Sequence, residues 1–159
     1  MAQVMTRMRL NWHGEPGSVA EVAKTFRNVI ILFVSYLILS NLCYNLYLAE
    51  TPNYADYPSI YENPDVTTMG QVYYHLQKAI EMAYAIYLLI ATCRTRQVVR
   101  NHYDIPEENC KGCEDCCCAF WCSCCTVTQM MRHTADYEQY PAACCTETGL
   151  PSHAPQTIV

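Results

Sequence analysis

Basic residues are few and dispersed: the 159-residue chain has ten Lys and Arg against fifteen Asp and Glu, a formal charge of −5. No stripe of Lys and Arg with interleaved aromatics occurs, which excludes the electrostatic footprint of a nucleic-acid binder. An asparagine glycosylation sequon is also missing, so glycosylation cannot report which side of a membrane a segment faces. Residues 1 to 27 mix acidic and basic side chains and have no apolar core of their own. The first apolar run, Asn28 to Ala49, is too long for a leader core, and Leu48-Ala49-Glu50-Thr51-Pro52 is a poor small-x-small cleavage site. We expect an uncleaved span. Thiol catalysis needs one cysteine of lowered pKa beside a positioned base, and His102 and His133 have no set relation to any one cysteine. We expect no enzyme.

What the chain does have is apolar residues gathered into blocks. Asn28 to Ala49 runs without a charge, and as a helix it would rise about 33 Å, enough to cross a bilayer core. Asn28, Ser35, Asn41 and Asn45 lower its hydropathy, which leaves a buried core helix as the alternative. Arg7, Arg9, Lys24 and Arg27 precede it, whereas Glu50 to Met69 carries Glu50, Asp56, Glu62 and Asp65 and no Lys or Arg. The positive-inside rule then puts the amino terminus in the cytosol. Pro52, Pro58 and Pro64 among Tyr54, Tyr57 and Tyr61 make residues 50–69 an acidic, tyrosine-rich outer turn. A second helical pattern from Gly70 to Cys93 meets Arg94, Arg96 and Arg100, which return the chain to the cytosol.

That second pattern is strictly uncharged only from Met82 to Cys93, too short to span alone. It must take Lys78 and Glu81 into the membrane or keep its first turns at the interface. Helical spacing puts Tyr74, Lys78, Glu81, Ala85 and Thr92 on one face and lets Lys78 pair with Glu81. Lys78, Glu81 and Thr92 are therefore candidates to line an ion path. The alternative is a snorkelling Lys78 and a Glu81 in the headgroup zone, marking the helix start.

The densest feature is cysteine: eight of the twelve lie between Cys110 and Cys125. In the cytosol these thiols stay reduced, so a disulfide framework is not expected; an inverted topology would instead make Cys110 to Cys145 a stapled outer domain. Cys110, Cys113, Cys116, Cys117, Cys122 and Cys125 have the close spacing that lets thiolates wrap a soft or borderline cation such as Zn²⁺ or Cd²⁺. No cofactor is certain, and a structural zinc finger does not fit, because Cys113 and Cys122 are too close for two separated pairs. If Cys117 to His133 is one helix, Cys118, Cys122, Cys125, Gln129 and Arg132 share a narrow sector. Two further readings stand beside metal ligation. Cysteine can pack as a small apolar residue with Phe120, Trp121 and Val127. Juxtamembrane cysteines beside aromatics also suit S-palmitoylation.

The stretch from about Cys93 to His133 resembles the cysteine-rich placenta-specific-8 family, which includes plant cadmium resistance and cell number regulator proteins. The resemblance is carried by Arg96-x3-Arg100-x2-Tyr103-x-Ile105, Asp115-Cys116-Cys117, Cys122, Cys125 and Gln129-x2-Arg132. Cys116-Cys117-x4-Cys122-Ser123-Cys124 is similar to the family's CC-x4-CPC signature, with Ser123 in place of proline. The chain departs from the pattern at Thr128, where members commonly have cysteine, and at His133, where an acid is frequent. It also lacks the earlier cysteine motif, having only Cys43 in that half. The resemblance implies a small membrane-associated protein, often oligomeric, linked in various members to divalent cation transport, heavy-metal tolerance or control of organ and cell growth.

Beyond Arg132 the chain turns polar and irregular, and Thr157-Ile158-Val159 fits the Ser/Thr-x-aliphatic pattern that adds a strand to a PDZ groove. The expected protein is mainly α. A cytosolic segment (1–27) leads to a two-helix membrane hairpin (28–93), a cysteine-rich helical region (94–133) and a flexible tail (134–159). We expect a homo-oligomer in the plasma membrane with both termini cytosolic, since two helices alone cannot enclose a path for an ion.

Overall fold

The computed structural model describes residues 1–51, 67–107 and 110–155 and is helical throughout, with no strand among the described residues. In chain order the elements are α1 (Ala2–Arg7), α2 (Val19–Ala49), α3 (Thr68–His102), α4 (Glu114–Trp121) and α5 (Ser123–His133). An isolated antiparallel bridge joins Leu10 to Pro16 between α1 and α2. The mainly α class read from the sequence holds.

α2 starts nine residues before its uncharged run because a capping box precedes it. The Ser18 backbone N–H donates to Glu21 Oε2 at 2.8 Å and the Ser18 hydroxyl at 2.9 Å, which satisfies donors that an open helix start would orphan. Hydrogen bonding to Ser18 also holds the Glu21 carboxyl below its ordinary pKa range. The helix closes where the Thr51 hydroxyl folds back on Tyr47 O at 2.9 Å. α3 opens on Thr67, whose Oγ1 accepts from Gly70 N–H at 3.0 Å and donates to Glu50 Oε2 at 2.8 Å. It ends when Asp104 takes φ 51° and Ile105 N–H reaches Arg100 O at 3.0 Å, a left-handed stop of Schellman type. α3 therefore runs to His102, beyond the expected end at Cys93, and carries Arg94, Arg96 and Arg100 as helical residues. By length and composition α2 and α3 can each cross a membrane, consistent with membrane association.

Packing divides into two units, Leu32–Ile86 and Met1–Ile31 with Tyr87–Val159. In the first, Tyr36 stacks on Tyr84 with centroids 4.2 Å apart, and Phe33 tilts against the same ring at 6.4 Å. Cys43 and Tyr47 are buried, while Ile38, Leu42, Leu76 and Met82 are exposed. Asn41 and Asn45 turn their amides back on Leu37 O and Asn41 O, both at 2.7 Å, so their polarity is absorbed within the helix. Of the acidic turn at 50–69, residues 52–66 lie outside the described residues.

In the second unit, apolar residues of the amino-terminal segment join a core built with α3 and α5. Val4 packs with Val99 and Met130, and Met5 and Leu10 pack with Ala91. α1 has only six residues, too few for helical periodicity to stand out or for a helix to hold without tertiary packing. The following loop lies directly on α3. Gly14 has φ 83°, and a Cβ there would stand 2.9 Å from Ala91 O. The Tyr87 hydroxyl donates to Trp12 O at 2.9 Å.

Part of the tail expected to be flexible packs on this unit. Thr134, Thr148, Leu150 and Ala154 are buried, and fully buried Arg7 organises them. Its Nε donates to Thr148 O at 2.6 Å, Nη2 to the Tyr137 hydroxyl at 2.8 Å and Nη1 to Thr134 Oγ1 at 3.2 Å. A cation buried this deeply needs such acceptors on several sides, and the tail supplies them. The proposed PDZ segment, Thr157 to Val159, lies outside the described residues.

Candidate functional site

Arg96 and Arg100 stand one turn apart on α3, a spacing that points both guanidinium groups to one side. They meet the first turn of α4, where Glu114 and Asp115 sit at the helix end that favours negative charge. Arg100 Nη2 donates to Asp115 Oδ2 at 2.9 Å and to Glu107 Oε1 at 2.8 Å. Arg96 Nη1 pairs with Asp115 Oδ1, and its Nη2 lies 3.6 Å from Glu114. Gly112, at φ 85°, turns its N–H onto Glu107 Oε2 at 2.6 Å. Gly112 and then Arg100 hold the Glu107 carboxyl below the usual range. Arg100 and Asp115 are each only 6% exposed. No described protein atom bonds Arg100 Nε or Nη1.

Sulfur reinforces this docking. Cys93, one turn before Arg96, is joined to Cys116, the residue after Asp115, with Cα atoms 4.9 Å apart. Cys110 is joined to Cys113 in the turn before α4, and Cys122 to Cys125 at the start of α5, with Cα separations of 5.5 and 5.3 Å. The expectation of unpaired thiols throughout the cluster is corrected. Short turns and the α3–α4 contact bring these Cα atoms into the range disulfides need. Whether such pairs stay oxidised depends on the compartment.

The condition of one helix from Cys117 to His133 is not met: the chain breaks at Cys122, which takes φ −145° and ψ 68°. Hydroxyls bridge the break: Ser123 Oγ donates to Ala119 O, and Thr126 Oγ1 donates at 3.0 Å to Cys118 O, which also accepts from the Cys122 N–H. The narrow sector of Cys118, Cys122, Cys125, Gln129 and Arg132 is therefore lost.

The break gathers a different set. The Sγ atoms of Cys122, Cys124 and Cys125 lie within 4.8 Å of one another, and Cys122 and Cys124 are 3.8 Å apart. Two thiolates on one tetrahedral zinc, at about 2.3 Å each, stand about 3.8 Å apart. Reduced, these three sulfurs can hold a soft divalent ion and leave a fourth position open. The other sequence candidates are not in this set: Cys110 and Cys113 pair with each other, Cys116 pairs with Cys93, and Cys117 is a free, exposed thiol.

The remaining motif residues frame α5. Tyr103 packs against the Val4–Val99–Met130 core, and burial pushes its phenol pKa up. Gln129 and His133 line a cavity of about 40 Å³ beside Arg96 and Arg100, while Arg132 is exposed. In the other unit Lys78 Nζ meets Glu81 Oε2 at 2.8 Å, the pairing expected from their spacing, and Gln77 donates to Glu81 Oε1 at 2.9 Å. Thr92 is buried in the unit that holds the cysteine cluster. Sequence reasoning missed the role of Cys93, read as the end of a span and the start of the family-like stretch, and missed Glu107, whose neighbours in sequence give no sign of its arginine partner.

A helical chain with two apolar helices and a cysteine-rich region docked by buried ion pairs defines the class. The family model described as the PLAC8 family matches residues 27–133, and the chain belongs to that family. Cell number regulator 4 of Zea mays is 35% identical over 68 residues, covering 43% of this chain. The chain spans only 38% of that relative's length. No solved structure matches the chain.

Proposed function

We propose that this protein handles divalent cations at a membrane, with Zn²⁺, Cd²⁺ or Ca²⁺ as its substrate class. The observation that carries the reading is the approach of the Cys122, Cys124 and Cys125 sulfurs to within 4.8 Å, a donor set suited to the soft members Zn²⁺ and Cd²⁺. Ligation requires the Cys122–Cys125 bond to be open, the state a cytosolic glutathione pool maintains. Binding is then coupled to proton release, because each ligating thiol gives up its proton. The Lys78–Glu81 pair supplies an ionisable group in the second apolar helix, the kind of residue that marks ion pathways. Two helices cannot enclose such a path, so the working form is a homo-oligomer in the plasma membrane with cytosolic termini and no enzymatic activity.

The name of the maize relative favours a second reading, a non-transporting membrane adaptor that regulates growth. A PDZ partner at Thr157 to Val159 would belong to that reading. Flux of Zn²⁺, Cd²⁺ and Ca²⁺ into vesicles containing the purified protein separates the two. Transport predicts flux that falls at least tenfold in Glu81→Gln; no flux of any of the three ions into vesicles with correctly inserted protein would favour the adaptor.

A further inference from the structure

α4 presents two opposed faces. Asp115 and Ala119 are buried on one side. Cys117, Phe120 and Trp121, spaced i, i+3 and i+4, share the other, and the two aromatics are 65% and 82% exposed. Cys117 is a free, exposed thiol. Large aromatics this exposed on one helix face call for a cover, and the position of α4 identifies it. The Arg96–Asp115 and Arg100–Asp115 pairs fix the helix just past the last residue of the uncharged stretch Met82–Cys93, whatever the redox state of Cys93. That is the depth at which an apolar helix leaves the hydrocarbon and tryptophan is enriched.

We propose that this face of α4 seats in the headgroup zone of the bilayer and that Cys117 is an S-acylation site whose acyl chain enters the membrane beside Phe120 and Trp121. In the modification the Cys117 thiolate attacks the carbonyl carbon of a long-chain acyl-coenzyme A. The new carbon–sulfur bond to Cys117 forms as the bond to the coenzyme sulfur breaks, and the departing thiolate takes up the proton that Cys117 released. No oxidant or reductant is consumed. The aromatics alone give a reversible contact; the acyl chain provides the second signal that stable anchoring needs. The inference rests on a cytosolic position for α4, where the acyl donor is found, and not on cation binding.

Acyl–polyethylene glycol exchange on the full chain expressed in cells tests it. Free thiols are blocked after reduction of disulfides, hydroxylamine releases thioester-bound acyl groups, and each exposed thiol gains one mass increment. The parent is expected to show a hydroxylamine-dependent band shift, Cys117→Ser to lose one increment, and Cys124→Ser to keep the parent pattern. A Phe120→Ser/Trp121→Ser variant, with Cys117 intact, is expected to lose most of the shift. An unshifted parent, or a Cys117→Ser pattern identical to the parent, would overturn the modification. So would a Cys117 thiol protected by reductant-sensitive pairing with Cys113, whose sulfur lies 3.9 Å away. Full acylation in the aromatic variant would overturn the lipid seat. Each result is independent of ion flux, so this proposal and the transport reading can fail separately.

Discussion

Arg100 and Asp115 form a buried ion pair, Nη2 to Oδ2 at 2.9 Å, and the second carboxylate oxygen of Asp115 meets Arg96. One carboxylate thus answers two guanidinium groups and fixes α4 on α3. Asp115→Asn preserves volume and removes the charge, leaving two arginines under-compensated in a nearly buried site. Loss of one partner of a buried pair costs about 3–5 kcal/mol. Denaturant unfolding in detergent micelles should register a loss of that size, and a change below about 1 kcal/mol would show that the pair is not sealed from solvent.

Arg7 gives a second prediction, for the tail. Arg7→Met removes the hydrogen bonds that Arg7 makes to Thr148 O, Thr134 Oγ1, Met131 O and the Tyr137 hydroxyl. A loss of about 2 kcal/mol would raise the opening equilibrium of the tail about thirtyfold. Limited proteolysis at Tyr137 and Tyr140 should accelerate accordingly, while cleavage within α2 stays unchanged. Equal tail cleavage in parent and variant would mean that Arg7 does not hold this segment.

The loop before α4 should respond to acid. The Gly112 N–H and Arg100 depress the folded-state pKa of Glu107, so the stabilisation is complete above the unfolded value, about 4.3, and is lost as pH falls through the folded value. Amide exchange at Gly112, after correction for intrinsic rates, should therefore quicken only in that acidic range. In Glu107→Gln the exchange should be faster at neutral pH and lose this acid dependence. Protection that is the same in both proteins at every pH would contradict the contact.

The sequence made the helical class and the two apolar helices legible, because a long uncharged run and a positively charged end leave few alternatives. Two features could have been read and were not. Ser18-Val19-Ala20-Glu21 is a capping box that announces the early start of α2. Val4 and Met5 are adjacent apolar residues in a helix too short to display a period. Other features were beyond reach of sequence. Arg7 finds its acceptors from Thr134 to Thr148, more than a hundred residues away, and surface arginine is the commoner fate. The pairing of Cys93 with Cys116 depends on how α3 and α4 pack, since connectivity does not follow from spacing. At the candidate site Cys122 and Cys125 were recognised, but the break at Cys122 that brings in Cys124 was hidden. Ser123 stands where the family pattern has a helix-breaking proline, so the sequence itself permits a continuous helix.

The most direct measurement is a Cd²⁺ titration of the reduced protein in micelles, read by ultraviolet cadmium–thiolate absorption. The parent and a variant with serine at positions 122, 124 and 125 are compared, with a Cys110→Ser/Cys113→Ser variant as control. The account predicts stoichiometric binding in the parent and control, loss of at least tenfold in affinity in the triple variant, and suppression of parental binding once the Cys122–Cys125 bond is oxidised. Unchanged affinity in the triple variant, or binding that survives that oxidation, would contradict the assignment of a soft-cation site to these three sulfurs.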